Sequence, residues 1–169
     1  MEERKEIFVG GRLVNSEATR QIDVISPNSE QVIGRVPDAT TGDVDRAVAA
    51  AREAFDRGPF PNLSPAERGD SIARLSEALK KRGQQIASTI SAENGCPIAA
   101  SVGTQVFSST MVLDLYAGIA RDFPFEEKRK GAFGQTVYVR RAPVGVCAAI
   151  TPWNVPLYIM AMKLGPKCL

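Results

Sequence analysis

Ala148-Ala149-Ile150-Thr151-Pro152-Trp153-Asn154-Val155-Pro156 is the stretch on which the reading of this chain turns. An apolar run through Val144, Val146, Cys147, Ala148, Ala149 and Ile150 breaks at Pro152, and an aromatic and an amide follow at once. A second proline, Pro156, then opens an apolar, helix-capable stretch. Proline cannot donate to a sheet ladder but is pre-set for the first turn of a helix. The pattern predicts a buried strand, a tight turn and a helix start, with Trp153 and Asn154 displayed at the strand's C-terminal edge. Open α/β sheets bind ligands at that edge. By residue type alone Asn154 is either a functional amide or the cap of the following helix, since Asn is a favoured cap.

Working outward, the run from Val144 to Ile150 does not alternate, which predicts a strand buried on both faces of a parallel sheet. Gly134 to Arg141 does alternate, Val137 and Val139 one way and Tyr138 and Arg140 the other, as a half-exposed strand should. The basic cluster Lys128-Arg129-Lys130 beside Gly131 reads as a solvated loop. Upstream, a helix is predicted from about Ile98 to Arg121, with Val102, Val106, Ser109, Leu113, Tyr116, Ala117 and Ala120 as its buried stripe. Ser64-Pro65-Ala66-Glu67 is a helix start with a cap, Pro at the first position and Glu at the third. Ile72, Leu75 and Leu79 line one face of that helix, and helical character resumes to about Glu93, where Asn94-Gly95-Cys96-Pro97 stops it. Thr40 with Asp43 is a capping-box pattern ahead of another helix, which Gly58-Pro59 ends. Ile7 to Val14 reads as a hairpin turning at Gly10-Gly11, and Ile22–Ile25 with Gln31–Val36 as a second strand pair.

The bulk numbers exclude more than they select. With 44% apolar and 24% charged residues, the 169-residue chain has the composition of an ordinary globular protein. A formal charge of +2, from 21 basic and 19 acidic residues, argues against nucleic acid as a partner. The N-terminal Met1-Glu2-Glu3-Arg4-Lys5-Glu6 has no apolar segment of a secretory signal, and no run of about 18 apolar residues predicts a membrane span. Three unpaired cysteines and the missing signal fit a reducing, cytoplasmic compartment. The absence of histidine excludes Ser-His-Asp and Cys-His catalysis and His-based zinc sites within this chain, and no metal site is expected.

The Thr-Pro-Trp-Asn turn closely resembles the Pro-Trp-Asn motif of the aldehyde dehydrogenase superfamily, and the resemblance extends over nearly the whole chain. It implies an α/β fold, the N-terminal part of the aldehyde dehydrogenase fold: a hairpin plus long helices leading into an incomplete doubly wound, Rossmann-like parallel sheet. Residues 1–169 would then form part of a cofactor-binding domain, with 128–143 in an oligomerisation β arm and the chain ending before the catalytic domain. The implied activity is oxidation of an aldehyde to a carboxylic acid, dependent on NAD or NADP, through a cysteine thiohemiacetal. By the same resemblance Asn154 donates to the oxyanion, and Ile150, Thr151, Pro152 and Trp153 lie along the cofactor cleft. Val155, Ile159 and Met162 share one helix face that lines the aldehyde tunnel. All three are apolar, which favours an aliphatic or aromatic aldehyde over a charged one. Lys163 matches a family lysine behind the catalytic region, and the full-length enzyme would be a homo-oligomer.

The family's nucleophilic Cys, general-base Glu and phosphate-contacting Lys have no counterpart here. Cys147 is expected inside an apolar strand, where burial keeps a thiol inert. Cys96 sits in a helix-ending turn and Cys168 beside the terminus, so none of the three is assigned to catalysis. The expectation is a chain that is inactive alone and marginally stable. One alternative is a non-catalytic truncated product that pairs its Gly134–Arg141 strand with an intact homologue. Another is a superfamily relative acting on an acyl-phosphate or a semialdehyde.

Overall fold

The computed structural model describes residues 2–169. β2 (Glu6–Val9) and β3 (Arg12–Asn15) form the predicted hairpin. Its two glycines take φ of 59° and 83°, the left-handed values that a two-residue primed turn needs and that a Cβ resists. β4 (Gln21–Ile25) pairs antiparallel with β5 (Val32–Pro37), and β1 (Glu2–Glu3) adds to the other edge of β5 in parallel.

Two helices begin where their capping boxes predict. At α1 (Thr41–Arg57) the Thr40 hydroxyl accepts from the Asp43 backbone N–H at 3.2 Å, while Asp43 accepts from the Thr40 N–H at 3.0 Å. At α2 (Pro65–Lys81) Ser64 and Glu67 make the same reciprocal pair at 3.3 and 2.7 Å. α3 (Gly83–Asn94) resumes after Arg82 and stops at Gly95, whose φ of 76° no side-chain-bearing residue adopts cheaply. α4 (Ile98–Ala100), a π segment (Ser101–Phe107) and α5 (Ser108–Asp122) run on as one rod.

Asp43 ties the strand region to α1 and is a second consequence of the capping box. Its carboxylate is 1% exposed and also accepts from the Ser16 hydroxyl at 2.6 Å, the Glu17 N–H at 3.1 Å and Arg46 Nη2 at 2.5 Å. The Ser16 hydroxyl first, then the Thr40 N–H, hold the carboxyl well below the usual carboxylate range, against the opposing effect of burial. A depressed folded value means that the stabilisation is complete above the unfolded value near 3.8 and is lost as pH falls towards the folded one. Asp43→Asn should therefore destabilise the chain at neutral pH, with the gap to wild type narrowing below about pH 4. Urea midpoints of both proteins across this range check it; a gap independent of pH would remove the role given to the charge.

The rod from Ile98 to Asp122 runs for 25 residues and holds an 18-residue window of mean hydropathy 1.2, by length and composition alone sufficient to cross a membrane. Here it is the central helix of the core. Leu113, Ala117 and Ala120 are buried, and Leu113 and Ala117 cluster with Ile72 of α2 and Ala161 of α6 (Pro156–Lys167). α2 crosses α5 closely because Gly69 lacks a side chain: a Cβ there would lie 2.8 Å from the Ala117 carbonyl oxygen. Gly165 of α6 seats in the same way on the Tyr116 ring.

Three expectations are corrected. Val102 is 40% exposed, and Ser101 and Gln105 take the inward positions instead. The cause is the π segment: its wider turn brings residues five apart, such as Ser101 and Val106, onto one face, so α-helical spacing fails upstream of Ser108. The basic cluster is not a loop but the end of β6 (Glu126–Lys130), which pairs antiparallel with β7 (Thr136–Arg140) and keeps its side chains in solvent.

The third correction concerns residues 144–150, which form no strand and are not buried. Val144 is 92% and Ile150 83% exposed, and Gly145 takes φ of 111°. A strand exists only through ladder partners on its edges, and among the described residues none lies beside this run. The fold class stands, but the parallel sheet it leads into is absent from this part of the chain. Cys147 is accordingly exposed rather than enclosed.

Candidate functional site

Residues 149–155 cross from the extended run to α6 without entering any helix or strand. α6 starts at Pro156, the position where its missing N–H costs nothing. The N-cap is Val155, with φ −136° and ψ 58°, and no side chain caps the helix. Asn154 is therefore not a helix cap. It is exposed, as are Thr151, Pro152 and Trp153, the last at 80%. Neither Ile150 nor Trp153 serves as core or packing anchor.

What holds the turn is the Asn154 main-chain carbonyl. It accepts from Asn94 Nδ2 at 3.2 Å and from Gln105 Nε2 at 3.2 Å. Asn94 closes α3, and its own Oδ1 accepts the Cys96 N–H at 2.9 Å across the left-handed Gly95. Gln105 comes from the π segment and is 2% exposed. The π segment is fastened to α3 by the Ser91 hydroxyl, which donates to Ser101 Oγ at 2.9 Å. Sequence reasoning took Asn94 only as a helix stop and missed Gln105 altogether. The available signal was an amide inside an apolar helical stripe, immediately before Val106.

Beyond the turn, Val155 and Ile159 are half-buried and Met162 is 46% exposed. At 3.6 residues per turn, Ile159 and Met162 lie roughly 100–160° around α6 from Ala161, whose face meets α5. The predicted tunnel face is thus a different face from the one that packs on the core. Lys163 is half-buried.

The cysteines do not converge on the turn as a reactive group. Burial pushes the Cys168 thiol up, away from the thiolate. Cys147 and Cys168 instead line a cavity of about 840 Å³ between α1, α5 and the chain end, together with Phe55, Phe60, Phe123 and Val144. None of the residues from Ile150 to Met162 borders it. No group of three or more His, Cys, Asp or Glu among the described residues is placed to hold a metal ion.

The model of the aldehyde dehydrogenase family matches residues 13–169. The chain belongs to the aldehyde dehydrogenase family. It is 38% identical over 166 residues to geranial dehydrogenase of Castellaniella defragrans, covering 97% of this chain and 34% of that one. Its fold matches the NAD+ complex of a Mycobacterium tuberculosis aldehyde dehydrogenase with a TM-score of 0.92 and 36% identity, over 99% of this chain and 34% of the other. An NAD-dependent aldehyde dehydrogenase of Sinorhizobium meliloti matches with a TM-score of 0.90 and 33% identity, over 98% and 33%. The chain thus spans about a third of the length of these aldehyde dehydrogenases, and it corresponds to the N-terminal part of their fold.

Proposed function

We propose that this chain is the cofactor-side portion of an NAD(P)-dependent enzyme that oxidises an aldehyde to a carboxylic acid, with Asn154 as an oxyanion donor. The observation that carries the reading is that the Asn154 amide is exposed at the turn while the α6 cap is Val155, so the bland role for an Asn here is already taken. A neutral side-chain amide is a suitable donor because it keeps its N–H at any working pH and can be fixed before charge develops. The complete enzyme would form a cysteine thiohemiacetal, whose oxygen Asn154 stabilises; the nucleophilic Cys and general-base Glu are proposed to lie outside residues 1–169.

Ile150, Thr151, Pro152 and Trp153 are proposed to border the nicotinamide cofactor. They fit it in that Ile150 and Trp153 present open apolar surface beside backbone groups committed to no helix or strand. The cofactor, when bound, supplies the hydride acceptor. Val155, Ile159 and Met162 are proposed to line the aldehyde path, and their apolar character favours an uncharged aldehyde over an acyl-phosphate. Residues 128–143 are assigned to an oligomerisation arm, and the compartment to the cytoplasm. β7 has β6 on one edge and no partner on the other among the described residues, which supports that arm. The same open edge favours the second reading, a non-catalytic chain that pairs with an intact homologue; co-purification with one would distinguish it.

The complete protein carrying this chain should reduce NAD or NADP in the presence of aliphatic or aromatic aldehydes, followed by nicotinamide absorbance. The isolated 169-residue chain should show no turnover. Turnover of acyl-phosphates but not aldehydes by the complete protein would sink the substrate assignment.

A further inference from the structure

We propose that Gln105 and Asn94 form an amide clamp on the Asn154 carbonyl, and that Gln105 is a positioning residue for the oxyanion donor. The inference rests on the reading of Asn154 given above. A main-chain carbonyl has two lone pairs, and here both are occupied by side-chain amides from separate elements, 60 and 49 residues away in sequence. Fixing that carbonyl fixes the peptide plane that follows Asn154 and the position of its Cα, the atom from which the Asn154 side chain leaves the backbone. The turn has no ladder or helical bonds of its own to do this.

Gln105 is an improbable residue for its place on packing grounds. Burying an amide is costly unless its groups are bonded, and Gln105 Oε1 is buried without a partner among the described residues. A leucine or methionine would fill the same volume without that cost. The donor half of the amide offsets it by reaching the Asn154 carbonyl. The π segment makes this possible, because its extra residue per turn turns Gln105 and Val106 inward side by side. Insertions of this kind recur at functional sites. Asn94 completes the clamp with an orientation already set by its bond from the Cys96 N–H.

Trp153 is the chain's single tryptophan and adjoins Asn154, so it reports on the turn directly. In the complete enzyme, with Trp153 kept as its only tryptophan, Gln105→Met should keep the helical circular dichroism but lower the fluorescence anisotropy of Trp153. Gln105→Glu tests the donor itself. A protonated carboxyl can donate to the Asn154 carbonyl and an ionised one repels it, so its Trp153 anisotropy should rise as pH falls. Wild type and Gln105→Met should lack that transition. In the complete enzyme Gln105→Met should lower kcat by up to about 10²-fold with KM for aldehyde largely kept, and should add little to Asn154→Ala.

Trp153 anisotropy unchanged in Gln105→Met, and no pH transition in Gln105→Glu, would overturn the clamp while leaving Asn154 as donor. A mobile Trp153 with kcat unaltered in both Gln105→Met and Asn154→Ala would instead overturn the donor reading, and the positioning role with it.

Discussion

Replacing Asn154 by Ala in the complete enzyme should lower kcat by about 10²–10³-fold, with KM for the aldehyde changed little. The size follows from the role proposed for Asn154. A donor aimed at charge that exists only in the transition state contributes about 3–4 kcal/mol to the barrier and little to ground-state binding. The substitution should leave the fold intact, because the Asn154 side chain caps no helix and the bonds that hold the turn are to its main-chain carbonyl. Steady-state kinetics with matched thermal midpoints checks both halves. An equal loss of kcat and stability would make Asn154 structural, and a rise in KM alone would make it a substrate contact.

Leu113→Ala should cost about 3–5 kcal/mol of stability. Leu113 is fully buried at the centre of the cluster with Ile72, Ala117 and Ala161. The neighbours that would have to collapse into the space include two alanines with no side chain to move, so the cavity stays open. In a chain of this size the loss corresponds to roughly 6–20 °C in thermal midpoint. Leu115, 60% exposed on the same helix, is the control, and its truncation should cost within about 0.5 kcal/mol. Circular dichroism melts of the two variants measure the difference. Because Ala161 sits in α6, the Leu113 cavity also loosens the helix whose first turn begins beside Asn154.

The same contrast between local and distant partners explains what could be read before the fold was known. Thr40 with Asp43, Ser64 with Glu67 and the Gly10-Gly11 turn were legible because each is settled within four residues. Gly95 as a helix stop is of this kind too. The strand at Thr136–Arg140 was legible, although Val137 is exposed and only Val139 is half-buried, so the expected alternation is absent; its partner β6 was not legible, since the charges of Lys128-Arg129-Lys130 conceal strand pairing behind solubility. The stripe of α5 was right from Val106 onward and wrong at Val102, where the π segment changes the period on which any helical reading depends.

By itself the sequence determined the caps, the hairpin, the helix start at Pro156 and the family to which the chain belongs, because these depend on residue types at short, fixed spacings. It also singled out Asn154. Only the tertiary structure decided that Val155 rather than Asn154 is the helix cap and that Asn94 and Gln105 converge on one carbonyl. It likewise decided that residues 144–150, apolar as they are, form no strand here. Each of those outcomes depends on what another part of the chain places alongside, and a hydrogen bond across 49 or 60 residues leaves no periodicity to read.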